Sequence, residues 1–384
     1  MKKITLLAVF LITIIACKKS TSTTTNNDIK PKVETASVEI SDSIKALFDS
    51  IVYKVAQTNG CKMKAVIKGP NTLPYYSGLD ARTNTKPSEF DELFEIGSCT
   101  KIFTATSILQ LVEQNKLELD DYLVSILPNN DLYKNLLDID GKNYIDSVKV
   151  INLLNHTSGL PDYVESDEDK LIAHYSDPSE KFTYEALIEM AKGNPEKKLF
   201  IPGSKFEYCN TNYILLALLI EKFSKQTYQD YVKAHIINPL ELKNTYFGSL
   251  YPENKRPQGY YKGKVALMPF TLAGPAGEIL SNLDDMQTFI DAWNKGLLFE
   301  DPNTIKNVKS QDFQTMVAGA ITYGKGIINI MDLSYGHGGQ SFGYQSYVGS
   351  MKSNNYSFVF YVDDANVSSW YPAIEISSLL QEIE

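Results

Sequence analysis

Residues Ile214 to Ile220 are apolar without interruption, and a helix with Leu or Ile on every face has no side left for water. Such a segment has to sit inside a layered core, so the chain must fold into a body large enough to close around a helix. With 384 residues, 43% hydrophobic and 22% charged, it has the material for one large domain or two intimately packed ones.

The material around that run is arranged asymmetrically along the chain. Ser43 to Gln57 places Ile44, Leu47, Ile51, Val52 and Val55 at helical spacing, and Lys64 to Lys68, Leu73 to Ser77 and Leu93 to Ile96 read as short strands. Together they predict a helix followed by an antiparallel meander. From Cys99 to Gln114, Ile102, Ala105, Ile108, Leu109 and Val112 recur three and four apart, which predicts a helix starting at or just before Ser98. The stretch from about 117 to 268 has helical and loop patterns with few strand signals. Tyr323 to Ile330, Gln345 to Met351 and Ser357 to Val362 read as strands, and Ala373 to Ile383 as a helix. The expected fold class is therefore α/β of the α+β type: an antiparallel sheet built from both termini, flanked by helices, with a mainly helical region inserted at about 117–268.

The amino terminus reads as a processing signal. Lys2 and Lys3 precede an apolar run from Ile4 to Ala16 that is too short to anchor in a bilayer, and Ile14-Ile15-Ala16-Cys17 resembles the lipobox of bacterial lipoproteins. The resemblance implies a signal peptide over 1–17, lipid attachment at Cys17, and a place in the bacterial cell envelope, anchored to the membrane through that lipid. Residues 18–40, rich in Lys, Ser, Thr and Asn, form a tether, and the folded body is expected at 41–384. The net charge of −9, or −11 once Lys2 and Lys3 are removed, argues against a nucleic-acid partner, whose phosphates need a basic patch. No repeat is visible. The remaining cysteines, Cys61, Cys99 and Cys209, lack CxxC spacing and the four His lack HExxH, so neither a metal nor an organic cofactor is expected.

Three clusters carry chemistry. In Phe94-Glu95-Ile96-Gly97-Ser98-Cys99-Thr100-Lys101, a helix opening at Ser98 puts Lys101 one turn on, within reach of the hydroxyl, as a nucleophile with its own base. An isolated Ser-x-x-Lys is a weak signal; this one follows a strand-turn and opens the clearest amphipathic helix. In Pro202 to Asn210, Tyr208 and Asn210 can bring a phenol and an amide to the same rim, although an Asn cap behind a packed Tyr looks the same in sequence. In Tyr335-Gly336-His337-Gly338-Gly339-Gln340, glycines let a substrate backbone approach the strand while His337 projects into the cleft.

In this order, Ser-x-x-Lys, Tyr-x-Asn and His-x-Gly resemble the active-site motifs of the serine β-lactamase and penicillin-binding protein superfamily, in its class C-like branch of β-lactamases, D-alanyl-D-alanine carboxypeptidases and esterases. Leu153-Leu154-Asn155-His156-Thr157-Ser158-Gly159-Leu160-Pro161-Asp162-Tyr163 and Ala276-Gly277-Glu278-Ile279-Leu280-Ser281-Asn282-Leu283-Asp284-Asp285-Met286 are similar to two further segments of that branch. The resemblance, from about Ser43 to the carboxyl end, implies that Ser98 is acylated with Lys101 as its base. Tyr208 would pass a proton to the leaving group, Asn210 would hold the acyl-side amide, and the backbone amides of Ser98 and Gln340 would form the oxyanion hole, with Gly339 giving access. It implies a carboxypeptidase-like or other peptide or amide hydrolase; an esterase, a weak β-lactamase and a non-catalytic penicillin-sensing lipoprotein are the alternatives. The substrate would be a small peptide, an ester or a β-lactam, and the oligomeric state stays open.

Where many members carry Lys-Thr-Gly, this chain has His337-Gly338-Gly339, with Lys325 the one replacement considered for a substrate carboxylate. Asn129 to Ser147 reads as an insertion able to reshape the cleft rim, His156 as a buried histidine holding its loop through Thr157 or Ser158, and Cys99 and Cys209 as buried fillers or a pair. Gly339-Gln340-Ser341-Phe342-Gly343 fits a nucleophile elbow, but the last His of the chain, His337, precedes Ser341, which that fold does not allow.

Overall fold

A computed structural model describes residues 39–127, 131–164, 167–194, 196 and 198–383. The signal segment with Cys17 and nearly all of the tether lie outside the described residues. Helix α1 (Asp42–Asn59) is capped by Ser41, whose hydroxyl accepts from Ile44 N, and ends at Gly60 in the left-handed conformation with φ 62°. Strands β1 (Lys62–Lys68) and β2 (Tyr75–Asp80) follow as a hairpin.

The third short strand departs from the expected meander. β3 (Phe94–Glu95) leaves this hairpin and joins a separate small sheet with β4 (Tyr246–Phe247) and β5 (Ile279–Ser281), in the order β3-β5-β4. The cause lies in its two side chains. Phe94 stacks on Tyr361 at 4.5 Å, and Glu95 is buried against Arg256 at 2.6 Å, so both partners lie off the hairpin. This small sheet delivers the chain to α2 (Thr100–Glu113).

The central run forms α3 (Thr211–Ser224), buried from Thr211 to Ile220 apart from half-buried Leu218, as continuous apolarity requires. Helix α4 (Leu283–Asn294) is capped by Asn282, which accepts from Asp285 N at 2.9 Å, and Phe289 stacks on Phe103 of α2 at 3.8 Å.

The last part of the chain builds the main sheet from β6 (Gln314–Val317), β7 (Ile321–Tyr323), β8 (Ile328–Ile330), β9 (Ser334–Gln340), β10 (Gln345–Met351) and β11 (Ser357–Val362), and α5 (Trp370–Gln381) closes it. The order of the eight strands is β6-β7-β8-β9-β10-β11-β1-β2, with first and last parts of the chain joined antiparallel in the register Ala65↔Phe360. One face carries α1 and α5, with Phe48, Val52, Ile376 and Leu380 over Met63, Ala65 and Phe360. The opposite face carries the helical region, with Val66, Val348 and Val359 under the layer that holds α2, α3 and α4. Each buried Leu, Ile or Phe there contributes about 1.5–3 kcal/mol relative to exposure.

Two more expectations change. Tyr323 to Ile330 is a hairpin, β7 and β8 turning at Gly324 to Ile327, where Gly326 has φ 74° and a Cβ would stand 2.3 Å from Ala105 Cβ. The close approach of the turn to α2 replaces the continuous strand. In the segment 129–147, Tyr133, Leu136, Leu137 and Ile145 are buried in the helical-side core, and none of its described residues lines the cleft.

Candidate active site

The Ser98 position is created by a backbone turn that only glycine accommodates. Gly97 has φ 52°, and a Cβ there would stand 2.5 Å from the backbone N and O of Gln340. Residues Gly97–Cys99 form one 3₁₀ turn leading into α2, leaving Ser98 half-buried at the floor of a cleft of about 270 Å³. Gly339 serves the same contact from the strand side, where a Cβ would lie 1.9 Å from Ile96 O. β8 pairs with β9 from Ser334 to Gly336, whereas β10 pairs along β9 as far as Gln340, so the outer edge beyond Gly336 meets the Ser98 turn and the cleft.

One helical turn after Ser98, Lys101 Nζ lies 2.9 Å from Ser98 Oγ, 2.8 Å from Asn210 Oδ1 and 2.8 Å from Ala276 O. Lys101 is fully buried, and burial pushes its amine down to about 7, against the pull of Asp162. A neutral amine fits these three contacts: two N–H groups donate to Asn210 and Ala276, and the lone pair accepts the Ser98 proton. Nζ also stands 4.9 Å over the Tyr208 ring and 5.4 Å over the Tyr213 ring.

Tyr208 packs on His156 at 4.3 Å, and burial holds its phenol well above the ordinary tyrosine range against a hydrogen bond with the Ser98 side chain. It is a neutral proton donor at neutral pH. The loop carrying it is stitched to residues 156–163. Glu207 N donates to His156 O at 3.0 Å, Gly203 N to Thr157 O at 2.8 Å, and Cys209 N to His156 Nδ1 at 3.2 Å. Ser158 Oγ donates to Asn212 Oδ1 at 2.7 Å and Thr211 Oγ1 to Pro161 O at 2.8 Å. His156 is buried, as expected, and burial keeps it neutral, but it holds the Tyr208 loop through Glu207, Cys209 and Asn212 rather than its own loop through Thr157 or Ser158.

His337 does not project into the cleft. It is 2% exposed, its Nδ1 lies 2.6 Å from Gly338 O, and its Nε2 lies 2.9 Å from the Tyr323 hydroxyl. The carbonyl requires Nδ1–H, so Nε2 accepts from Tyr323, and the imidazole is neutral. Burial, helped by Lys101, pushes it down to about 3. Tyr323, fourteen residues upstream on β7, takes up the ring nitrogen that the sequence left facing substrate.

The other candidates separate cleanly. Lys325 is buried in the β7–β8 turn and pairs with Asp312 at 2.5 Å, away from the residues lining the cleft. Cys99 and Cys209 are free thiols rather than a pair: Cys99 Sγ donates to His337 O at 3.0 Å and Cys209 Sγ to Pro161 O at 3.6 Å. Among the described residues no cluster of His, Cys, Asp or Glu is arranged to hold a metal.

Asp162 is the residue that sequence reasoning passed over. It accepts from Asn210 N at 3.0 Å, from Asn210 Nδ2 at 2.9 Å and from Val164 N at 3.2 Å. A carboxylate directly after a Gly-Leu-Pro turn and ahead of apolar residues was the available signal, since such a group has to find donors.

An antiparallel sheet flanked by helices, with Ser, Lys, Tyr and Asn converging below its exposed strand edge, is the architecture of serine β-lactamases and penicillin-binding proteins. The chain belongs to the Beta-lactamase family, which matches residues 54–369. It is 32% identical over 208 residues to penicillin-binding protein 4* of Bacillus subtilis strain 168, covering 53% of this chain and 40% of that protein. It is 28% identical over 199 residues to protein flp of Staphylococcus aureus strain MW2, covering 52% of this chain and 34% of that protein. The matched part is thus well under half of each relative's length. Among solved structures, it is similar to a D-stereospecific amidohydrolase from Streptomyces sp., with TM-score 0.72 and 24% identity over 87% of this chain and 98% of that one. It is also similar to the D-amino acid amidase of Ochrobactrum anthropi SV3, with TM-score 0.74 and 21% identity over 88% of this chain and 99% of that one.

Proposed function

We propose that this chain is a serine hydrolase that cleaves amide bonds through an acyl-enzyme on Ser98. The observation that carries the reading is a buried amine 2.9 Å from a half-buried serine hydroxyl, pushed by burial to about 7, where it can take that proton at neutral pH. Lys101 accepts the Ser98 proton as Oγ bonds to the substrate carbonyl carbon. The oxyanion forms beside the backbone of Ser98 and Gln340, where each donor is worth about 3 kcal/mol. Tyr208, bonded to Ser98, passes a proton to the departing nitrogen as the C–N bond breaks, and Lys101 returns one to Tyr208. Water then repeats the sequence in reverse on the acyl ester.

The substrate favoured is an amide with an apolar group beside the scissile bond and no carboxylate on the leaving side. The described cleft lining includes Tyr163, Leu171, Ile172, Met268, Leu272 and Phe342, with no Lys or Arg. A D-alanyl-D-alanine terminus would place a carboxylate there without a cation, losing hydration for no return. The amidohydrolase and amidase named among similar structures support the amide reading, and small acyl esters suit the same chemistry. Lipid attachment at Cys17 and an envelope location belong to the same proposal, supported by the Ile14-Ile15-Ala16-Cys17 quartet.

The test measures hydrolysis of an aromatic D-amino acid amide, a D-alanyl-D-alanine peptide and a penicillin by the chain from Ser41 onward, with intact mass recorded and Ser98→Ala as control. Turnover of the amide that vanishes in the control supports the proposal. A preference for the D-alanyl-D-alanine peptide would overturn the carboxylate argument, and a lasting penicillin adduct without any turnover would favour a penicillin-sensing protein.

A further inference from the structure

The side-chain amide of Asn210 can be rotated by half a turn with little change in shape, which exchanges a donor for an acceptor. Lys101 Nζ needs the acceptor, and Asn210 Oδ1 is what it finds at 2.8 Å. Nothing in Asn210 itself enforces that choice. On its far side Asp162, which can only accept, takes Asn210 N and Nδ2 on the same oxygen, Oδ2. Asp162 is in turn fixed by Val164 N on Oδ1 and by Asn194 Nδ2 on its backbone carbonyl at 2.8 Å.

We propose that Asp162 is a positioning residue for the serine chemistry, locking the Asn210 amide with its oxygen toward Lys101 and facing that amine with a carboxylate. The proposal rests on the acyl-enzyme reading and gives Asp162 a role in it that the sequence reading did not assign. Its second half follows from what surrounds the amine. Lys101 is faced by Cys99 at the head of its own helix, by His156 and Asp162 from one loop, by Tyr208 and Cys209 from the other, and by Tyr213 from α3. His337 and Tyr323 stand beyond them on the sheet, and Glu278 is turned away to Gln229 and Ser249. Burial keeps the thiols and phenols protonated and both imidazoles neutral. Burial pushes the Asp162 carboxyl up, but hydrogen bonds from Asn210 and Val164 and the nearby Lys101 oppose that shift, and a group that accepts three hydrogen bonds and donates none has the pattern of an ionised carboxylate. It favours the ammonium and so opposes the burial of Lys101.

The experiment follows the rate at which a fluorophosphonate reagent labels Ser98, as a function of pH, in the full chain and its variants. In Asp162→Asn the midpoint of the acidic limb moves to lower pH by about one unit, because the neighbouring anion is gone and Lys101 loses its proton more easily. The plateau rate falls roughly tenfold or more as the amide loses its fixed orientation. A purely structural role would lower the melting temperature and the plateau while leaving the midpoint in place, and that result overturns the proposal. Asn210→Ala tests the link without touching Asp162: a plateau equal to the wild type overturns the proposal, because Asp162 acts through Asn210. Failure of the wild-type chain to be labelled at Ser98 would instead overturn the underlying acyl-enzyme reading.

Discussion

Burying Lys101 has a cost that can be read as a pH dependence of stability. Its amine falls from an ordinary value of 10.5 to about 7 in the folded chain. Below pH 7 the group is charged in both folded and unfolded chains, and the folded state bears the whole penalty of holding a buried ammonium. Between about 7 and 10.5 the unfolded chain keeps the proton that the folded chain has released, so the unfolded state binds more protons and stability rises with pH. Above 10.5 the group is neutral in both and the penalty is gone. At about 1.4 kcal/mol per pH unit, the span amounts to roughly 5 kcal/mol. Lys101→Met removes this dependence but leaves Asn210 Oδ1 and Ala276 O without their donor and the Ser98 hydroxyl without its acceptor, at about 1–3 kcal/mol each. The absolute stability of the variant is therefore a poor readout, whereas its pH dependence is a good one. Urea unfolding of wild type and Lys101→Met at pH 6, 8 and 10 isolates it, since all other titrating groups cancel in the difference. The wild type should gain several kcal/mol on the variant between pH 6 and 10. A difference that stays flat with pH would refute the assignment of Lys101 as the neutral base.

Three further outcomes follow from the geometry. Tyr208→Phe should lower turnover by about 10²–10⁴ with little change in melting temperature, checked by steady-state kinetics beside thermal unfolding. The His337 imidazole, held by Tyr323 and Gly338 O, should show no titration between pH 5 and 8 by NMR. Since its folded value of about 3 lies below the unfolded 6.5, its contribution to stability is lost as pH falls from about 6.5 toward 3; a midpoint near 6.5 would contradict the arrangement. Gly159→Ala should destabilise by about 2–4 kcal/mol in chemical denaturation, because Gly159 has φ 75° and a Cβ there would stand 1.9 Å from Phe200 O.

What the sequence made legible follows from the range of the forces involved. Periodicity located α1, α2, the buried α3 and the sheet built from both ends, since each is a local pattern that one face or all faces must bury. Ser98 and Lys101 were legible because one helical turn links them. β3 was misplaced because its partners, Tyr361 and Arg256, are distant in sequence and only tertiary contact chooses between two sheets. The β7–β8 hairpin was merged because the turn is decided by Gly326 packing on Ala105 rather than by a strong local stop. His337 and Lys325 were read toward the cleft from their neighbours in sequence, yet Tyr323 and Asp312 are the groups that claim them. Asp162 escaped notice for the same reason: its donors come from Asn210, forty-eight residues away.

The stitching of residues 156–163 to residues 203–212, and of Gly97 to Gln340, has a kinetic meaning as well as a geometric one. Ser98 is made early in the chain, Tyr208 and Asn210 a hundred residues later, and the Gln340 backbone more than two hundred residues later. Until those segments have docked, Lys101 stands in water with an ordinary ammonium, and the serine beside it is an ordinary alcohol. On the proposed mechanism reactivity is therefore a property of the completed fold alone: a partly assembled chain carries every residue of the site and none of its chemistry, and labelling of Ser98 would double as a clock for the last step of folding.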